Sequence, residues 1–211
     1  MSRYHTPRGA EVETQPGSHG RVLRNRLGIT RKSEIDQMEY QALVATQNRY
    51  LLIISEETRF DTVLIRRMHR EWLGGIYLWA GEYRTVDMSK GDITWPPAMR
   101  VSDNMDRFSR ETLFKFTPCR PQELHDVCYA LAVVHAELLL IHPFREGNGR
   151  IARWMADLMA AQAGLPLPVY GFTGRGSQAV RKGYLDAVYQ GYLGRFDLLT
   201  DFFADALRVS E

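Results

Sequence analysis

Two cysteines in 211 residues are too few for a disulfide framework. Cys128 falls in an apolar helical run, and both it and Cys119 are expected as reduced thiols. No apolar run approaches the roughly 20 residues that a membrane-spanning helix needs. The opening stretch, Met1 to Gly20, lacks the apolar segment of a secretory signal. These absences set the expectation of a cytoplasmic protein with no membrane contact. An excess of one charge sign is missing too, since 27 Lys and Arg stand against 25 Asp and Glu for a net of +2. The basic residues are concentrated early (Arg3, Arg8, Arg21, Arg24, Arg26, Arg31, Lys32), but no aromatic interleaving or DNA-binding helix pattern accompanies them. A nucleic-acid partner is therefore not expected.

What is present is an ordinary globular composition, 45% hydrophobic and 25% charged, enough to bury the core of one domain. Residues 1–26, poor in apolar periodicity and early on rich in Gly, Pro, Ser and Thr, read as a flexible basic arm. The folded body is then 27–211. Apolar residues recur at helical spacing from Ser33 to Glu56 (Ile35, Met38, Leu43, Val44, Tyr50, Leu51, Ile54), and again from about Asp61 to Leu73. Further helices are expected at about 100–114, 121–140, 150–163, 178–189 and 196–209, with a short one at Ile76 to Trp79. The fold class is all-α with one exception. Tyr83 to Met88 and Ile93 to Trp95 alternate like strands around Ser89-Lys90-Gly91-Asp92, and predict a small β-hairpin. Such a hairpin must lie on the helical body, and its edge can accept an extended peptide by main-chain bonding.

The chemistry is concentrated between two core helices, at His142-Pro143-Phe144-Arg145-Glu146-Gly147-Asn148-Gly149-Arg150 and on to Arg153. Pro143 favours an extended backbone at His142 and stops the incoming helix. Gly147 and Gly149 let successive N–H groups converge at a helix N-terminus, a place suited to phosphate. Arg150 and Arg153, one turn apart, can hold further phosphate oxygens. Glu146 offers a hard oxygen to Mg²⁺. A histidine, whose ordinary pKa is about 6.5, can take the proton of an attacking hydroxyl. Neither a G-x-x-x-x-G-K-[ST] loop nor an H-E-x-x-H zinc pattern is present.

HPFREGNGRIAR, residues 142–153, resembles the H-x-F-x-[DE]-G-N-G-R-x-x-R signature of the Fic (filamentation induced by cAMP) domain family at every specified position. The likeness extends to Tyr77-x-Trp79-Ala80-Gly81-x-x-Arg84 and to Tyr184-x-x-Ala187. Stretches at Lys32 to Asp36, WLGGIYLWAGEYRTV and YGFTGRGS also resemble the subgroup called mobile mystery protein B. The resemblance implies a helical bundle with a hairpin flap that transfers AMP from ATP to a Ser, Thr or Tyr hydroxyl of a target protein. His142 would be the base, Glu146 the Mg²⁺ ligand, and Gly147, Asn148, Gly149, Arg150 and Arg153 the phosphate site. Tyr184 would lie by the nucleobase. The flap residues Thr85, Val86, Asp87, Met88 and Ile93 would align the target. It also implies regulation, by an antitoxin-like partner or by an inhibitory [ST]-x-x-x-E-[GN] helix; a homo-oligomer is left open as a further partner state. Thr30 to Glu34 fits that pattern up to Ile35, which would set Glu34 against Arg153. Phosphotransfer or de-AMPylation on the same site, and a catalytically silent interaction module, are the alternatives. A phosphotransferring branch carries Lys at the position of Gly149.

Overall fold

The structure is a computed structural model, described here for residues 13–121 and 123–208. The fold is helical with one small two-stranded antiparallel sheet. Helices α1 (Lys32–Ile53) and α2 (Thr62–Leu73) come first, followed by β1 (Ser89–Lys90) and β2 (Ile93–Thr94). A 3₁₀ turn, Ala98–Arg100, leads into α3 (Val101–Arg107), a π-helical segment Phe108–Leu113, and the short α4 (Phe114–Phe116). Then come α5 (Leu124–Ile141), α6 (Asn148–Gln162), α7 (Ser177–Tyr192) and α8 (Asp197–Arg208). Ile76 to Trp79, expected as a helix, forms turns instead. Helix α5 is the one stretch among the described residues whose length and composition match a membrane span, and 67% of it is buried in the protein.

The chain divides into two compact units interleaved in sequence. The first takes the chain up to Leu52, Thr62–Asp106 and Ile141–Ile151. Its α1 buries a narrow stripe, Ile35, Glu39, Leu43, Thr46 and Tyr50, spaced by three and four residues. Met38, Val44 and Leu51, expected in that stripe, stay exposed. Helix α2 buries Leu64, Ile65, Met68, His69, Trp72 and Leu73. The two helices are tied by Trp72 Nε1–H donating to the Glu39 carbonyl (2.8 Å), by Arg67 donating to the Tyr50 hydroxyl (3.2 Å), and by the Arg49–Glu71 ion pair.

Residues 1–12 of the expected arm lie outside the described residues, but 13–26 are not a loose tail. Thr14 and Leu23 form an antiparallel bridge, and Ser18 and Val22 are buried. The Asn25 side chain accepts from the N–H groups of Leu27 and Ile29 and donates to the carbonyls of Leu23 and Ile29. The Arg26 N–H bonds to the Ile76 carbonyl (2.8 Å). A segment read as polar and Gly-rich is thus held by its backbone, which composition does not report.

The second unit takes Ile53–Asp61, Arg107–Leu140 and the chain from Ala152 onward. Its core is built on α5 (Leu131, Val134, Leu138), the later turns of α6 (Met155, Leu158, Met159) and the α7–α8 pair (Val188, Leu199, Phe203). The Gln162 side chain pins the loop after α1, donating to the carbonyls of Ser55 (3.0 Å) and Thr58 (2.7 Å) while accepting from the Cys119 N–H (3.1 Å). Cys119 and Cys128 are both free and buried, and burial pushes the Cys119 thiol up to about 12, so it is inert as a nucleophile.

Candidate active site

The loop from His142 to Gly147 lies in the first unit and is stapled from several sides. Phe144 is fully buried and stacks face to face on His69 of α2, ring centroids 3.9 Å apart at 5°. His69 Nε2–H donates to the Glu146 carbonyl (3.0 Å), and its Nδ1 accepts the Gly81 N–H (2.8 Å). The accepting Nδ1 requires the neutral ring, and burial lowers the His69 pKa to about 3, so this tautomer persists at all physiological pH. His69 was not singled out from sequence. Its position inside the apolar stripe of α2 is the signal that could have found it.

Asn148, expected at the phosphates, instead turns its side chain back into the loop. Its Oδ1 accepts the Phe144 N–H (2.8 Å) and its Nδ2 donates to the Phe144 carbonyl (2.7 Å). Only its backbone N–H, in the first turn of α6, is placed for an anion. Gly147 takes a left-handed φ of +88°, and a Cβ there would sit 2.8 Å from the Trp72 ring. Gly149 is an ordinary helical residue of α6 and takes no positive φ. Gly147→Ala is therefore expected to cost about 2–4 kcal/mol, from the strained φ and the clash together, read as a lowered urea midpoint. An unchanged midpoint would show that the loop can relax.

His142 is buried and itself left-handed, φ +52°, uncommon for a residue with a side chain. Arg84, almost fully buried, holds this geometry. Its Nε donates to the His142 carbonyl (2.8 Å), while its other nitrogens donate to the carbonyls of Val86 (2.8 Å) and Pro96 (2.6 Å). The Arg84 N–H bonds to the Pro143 carbonyl (2.8 Å). The hairpin is shorter than the alternation suggests: Ser89 pairs Thr94 and Lys90 pairs Ile93. Thr85, Val86, Asp87 and Met88 precede the strands. Val86 and Met88 bury against Trp95 with Ile93 packed beside them, and Asp87 accepts the Ala98 N–H (2.7 Å). Arg84 takes the Val86 carbonyl, leaving that oxygen to a guanidinium rather than a strand partner.

Arg150 is clamped. Its Nη1 donates to Glu39 Oε2 (2.6 Å), its Nη2 faces Glu146 Oε1 (3.5 Å), and its guanidinium lies 4.6 Å over the Trp72 ring. The buried Glu39 also accepts the Tyr77 hydroxyl (2.5 Å). Burial and then this carboxylate hold the Tyr77 pKa well above the ordinary phenol value. Glu146 Oε1 additionally accepts the Gly147 N–H (3.1 Å). Glu34, expected to act on a motif arginine, lies half exposed at the start of α1 and pairs one turn back with Arg31 (3.3 Å). The carboxylate of α1 that meets a motif arginine is Glu39, missed because a glutamate in a helix reads as surface.

In the second unit, Arg153 faces aromatic rings, 5.4 Å from Phe172 and 5.9 Å from Tyr170. Tyr184 is buried beside Phe172 and Phe202, and its hydroxyl bonds to His135 Nε2 (2.7 Å). Burial, then the nearby Arg153 charge, lowers the His135 pKa to about 3, so its ring is neutral. The Tyr170 hydroxyl bonds both the Arg153 carbonyl (3.0 Å) and Asp157 (2.7 Å).

Residues 59–160, which span this loop and both its helices up to near the end of α6, match the Fic/DOC family. The chain carries a Fic domain. Among proteins similar to it, the probable protein adenylyltransferase y4lH of Sinorhizobium fredii is 28% identical over 179 residues, covering 85% of this chain and 86% of its own. The protein adenylyltransferases Fic of Nematostella vectensis and VbhT of Bartonella schoenbuchensis are 29% and 25% identical, and the Fic chain matches only 35% and 36% of their lengths. In fold, the N-terminal Fic domain of a Bartonella effector protein from Bartonella sp. AR 15-3 superposes with a TM-score of 0.76 at 19% identity, covering 96% of this chain and 94% of that one. The BepC protein of Bartonella tribocorum, solved with bound AMPPNP, superposes at 0.69 with 18% identity, covering 87% and 91%. The likeness of fold thus runs nearly the length of this Fic chain.

Proposed function

We propose that this chain is a protein adenylyltransferase, moving AMP from ATP to a hydroxyl of a target protein. The observation that carries the reading is the loop between α5 and α6, where a backbone-fixed, buried histidine stands four residues before a carboxylate and six before Asn148, the first residue of α6. His142 takes the proton of the target hydroxyl. The hydroxyl oxygen attacks the α-phosphorus, the α–β anhydride bond breaks, and pyrophosphate leaves. The N–H groups opening α6, with Arg150 and Arg153, neutralise the phosphate oxygens as charge moves onto the leaving group. Gly149, where a phosphotransferring relative would carry Lys, favours AMP transfer over phosphoryl transfer.

Glu146 is the hard oxygen ligand for Mg²⁺ in this reading. No cluster of three or more His, Cys, Asp or Glu stands among the described residues, so the protein fits an ion that shares its ligands with substrate phosphates rather than a closed metal cage. When bound, Mg²⁺ neutralises phosphate charge. A cytoplasmic location, where ATP is plentiful, is part of the same proposal. Restraint by an antitoxin-like chain belongs to the proposal on the strength of the resemblance alone.

The test is incubation with ATP labelled at the α or the γ phosphate in a lysate of the source cell. Label is expected on protein from the α position only. Label from the γ position would establish a phosphotransferase, and label from neither would reject transfer altogether.

A further inference from the structure

We infer that Trp95, just past the flap, is a positioning residue for His142. The inference rests on His142 being the base. The Trp95 indole stacks on the His142 imidazole with ring centroids 3.8 Å apart and 28° between planes. Trp95 is itself 6% exposed and fixed from behind by Val86, Met88 and Ile93. Its backbone N–H donates to the Met88 carbonyl (3.1 Å), which closes the hairpin at its base.

The same segment grips both halves of the histidine. Arg84, just ahead of the flap, fixes the left-handed backbone through the carbonyl of His142, and Trp95, just past it, fixes the ring. A stacked imidazole cannot sweep through its χ2 range, because turning out of the plane would drive it into the indole. A base must lie within hydrogen-bond reach of the proton it takes, so holding the ring reduces the fraction of encounters in which it faces away. The flap therefore does more than present an edge to a target: its inner end aims the base.

Two measurements separate this role from simple packing. With histidine isotopically labelled, the His142 Cε1–H proton is expected upfield from the indole ring current in the wild type. That displacement should persist in Trp95→Phe and vanish in Trp95→Leu. In the α-labelled ATP assay with lysate acceptor, Trp95→Leu should lower the maximal rate roughly tenfold to a hundredfold, with the KM for ATP within about twofold. Trp95→Phe should recover most of it. A Trp95→Leu protein that transfers at full rate, or no upfield displacement in the wild type, overturns the inference. If Trp95→Leu does not fold, the wild-type spectrum and Trp95→Phe decide the question. Undiminished transfer by a folded His142→Asn protein would remove the base assignment, and with it the catalytic meaning of the stack, while leaving the ring-current result standing.

Discussion

His142→Asn is expected to lower the rate of AMP transfer by about 10²–10⁴-fold while leaving ATP affinity within about threefold. Asparagine is the better probe than alanine because the backbone here is left-handed, φ +52°, and Asn tolerates that region where Ala is strained. The carbonyl of residue 142, which accepts from Arg84, is unchanged by the substitution. The variant thus removes the proton acceptor and the ring stacked on Trp95 while keeping the backbone geometry. Initial rates with α-labelled ATP, together with ATP binding by calorimetry, give the two quantities separately. A folded His142→Asn protein that transfers AMP normally would end the general-base mechanism.

Glu39→Ala is expected to cost about 3–5 kcal/mol of stability, the penalty for stranding one member of a buried ion pair. Arg150 would lose its 2.6 Å partner, and the buried Tyr77 hydroxyl would lose its acceptor at the same stroke. The companion variant decides whether the charge or the packing is at issue. In Glu39→Leu with Arg150→Met, both charges are gone and apolar volume replaces them, so most of the loss should be recovered. Urea denaturation of Glu39→Leu, of Arg150→Met and of the double variant, beside the wild type, forms a thermodynamic cycle. A coupling near zero would show that Arg150 finds compensation in Glu146 and the Trp72 face.

The residues that could be read ahead of the structure are those with local punctuation. Pro143 and Gly147 bracket the loop between α5 and α6, and helical periodicity placed the long helices to within a few residues. The misreadings share a physical cause, which is that a side-chain partner the pattern does not encode changed the pattern's meaning. Thr85 to Met88 alternate as a strand would, but Arg84 takes the carbonyl of Val86, and the apolar side chains turn into a cluster under Trp95. Residues 13–26 look like a tail until the Asn25 side chain is seen making four bonds to the backbone of Leu23, Leu27 and Ile29. Glu39 occupies a buried helical position because Tyr77 and Arg150, remote in sequence, satisfy it. Glu34 matched a spacing rule, but that rule does not know that Arg31 stands one turn away.

The two-way clip between the Asn148 side chain and the Phe144 backbone bears on how tightly nucleotide can be held. A loop that ordered only on meeting its ligand would surrender chain entropy at that moment, about 1–2 kcal/mol for each residue fixed. Phe144 to Asn148 form a ring closed by two hydrogen bonds, so that entropy is lost once, during folding, with the rest of the chain. Each arriving triphosphate then meets a frozen cradle, and its contact energy shows as affinity instead of being consumed in freezing the receptor. The amide of Phe144, shut inside the clip, should accordingly exchange with deuterium as slowly in the free protein as in the nucleotide-bound one.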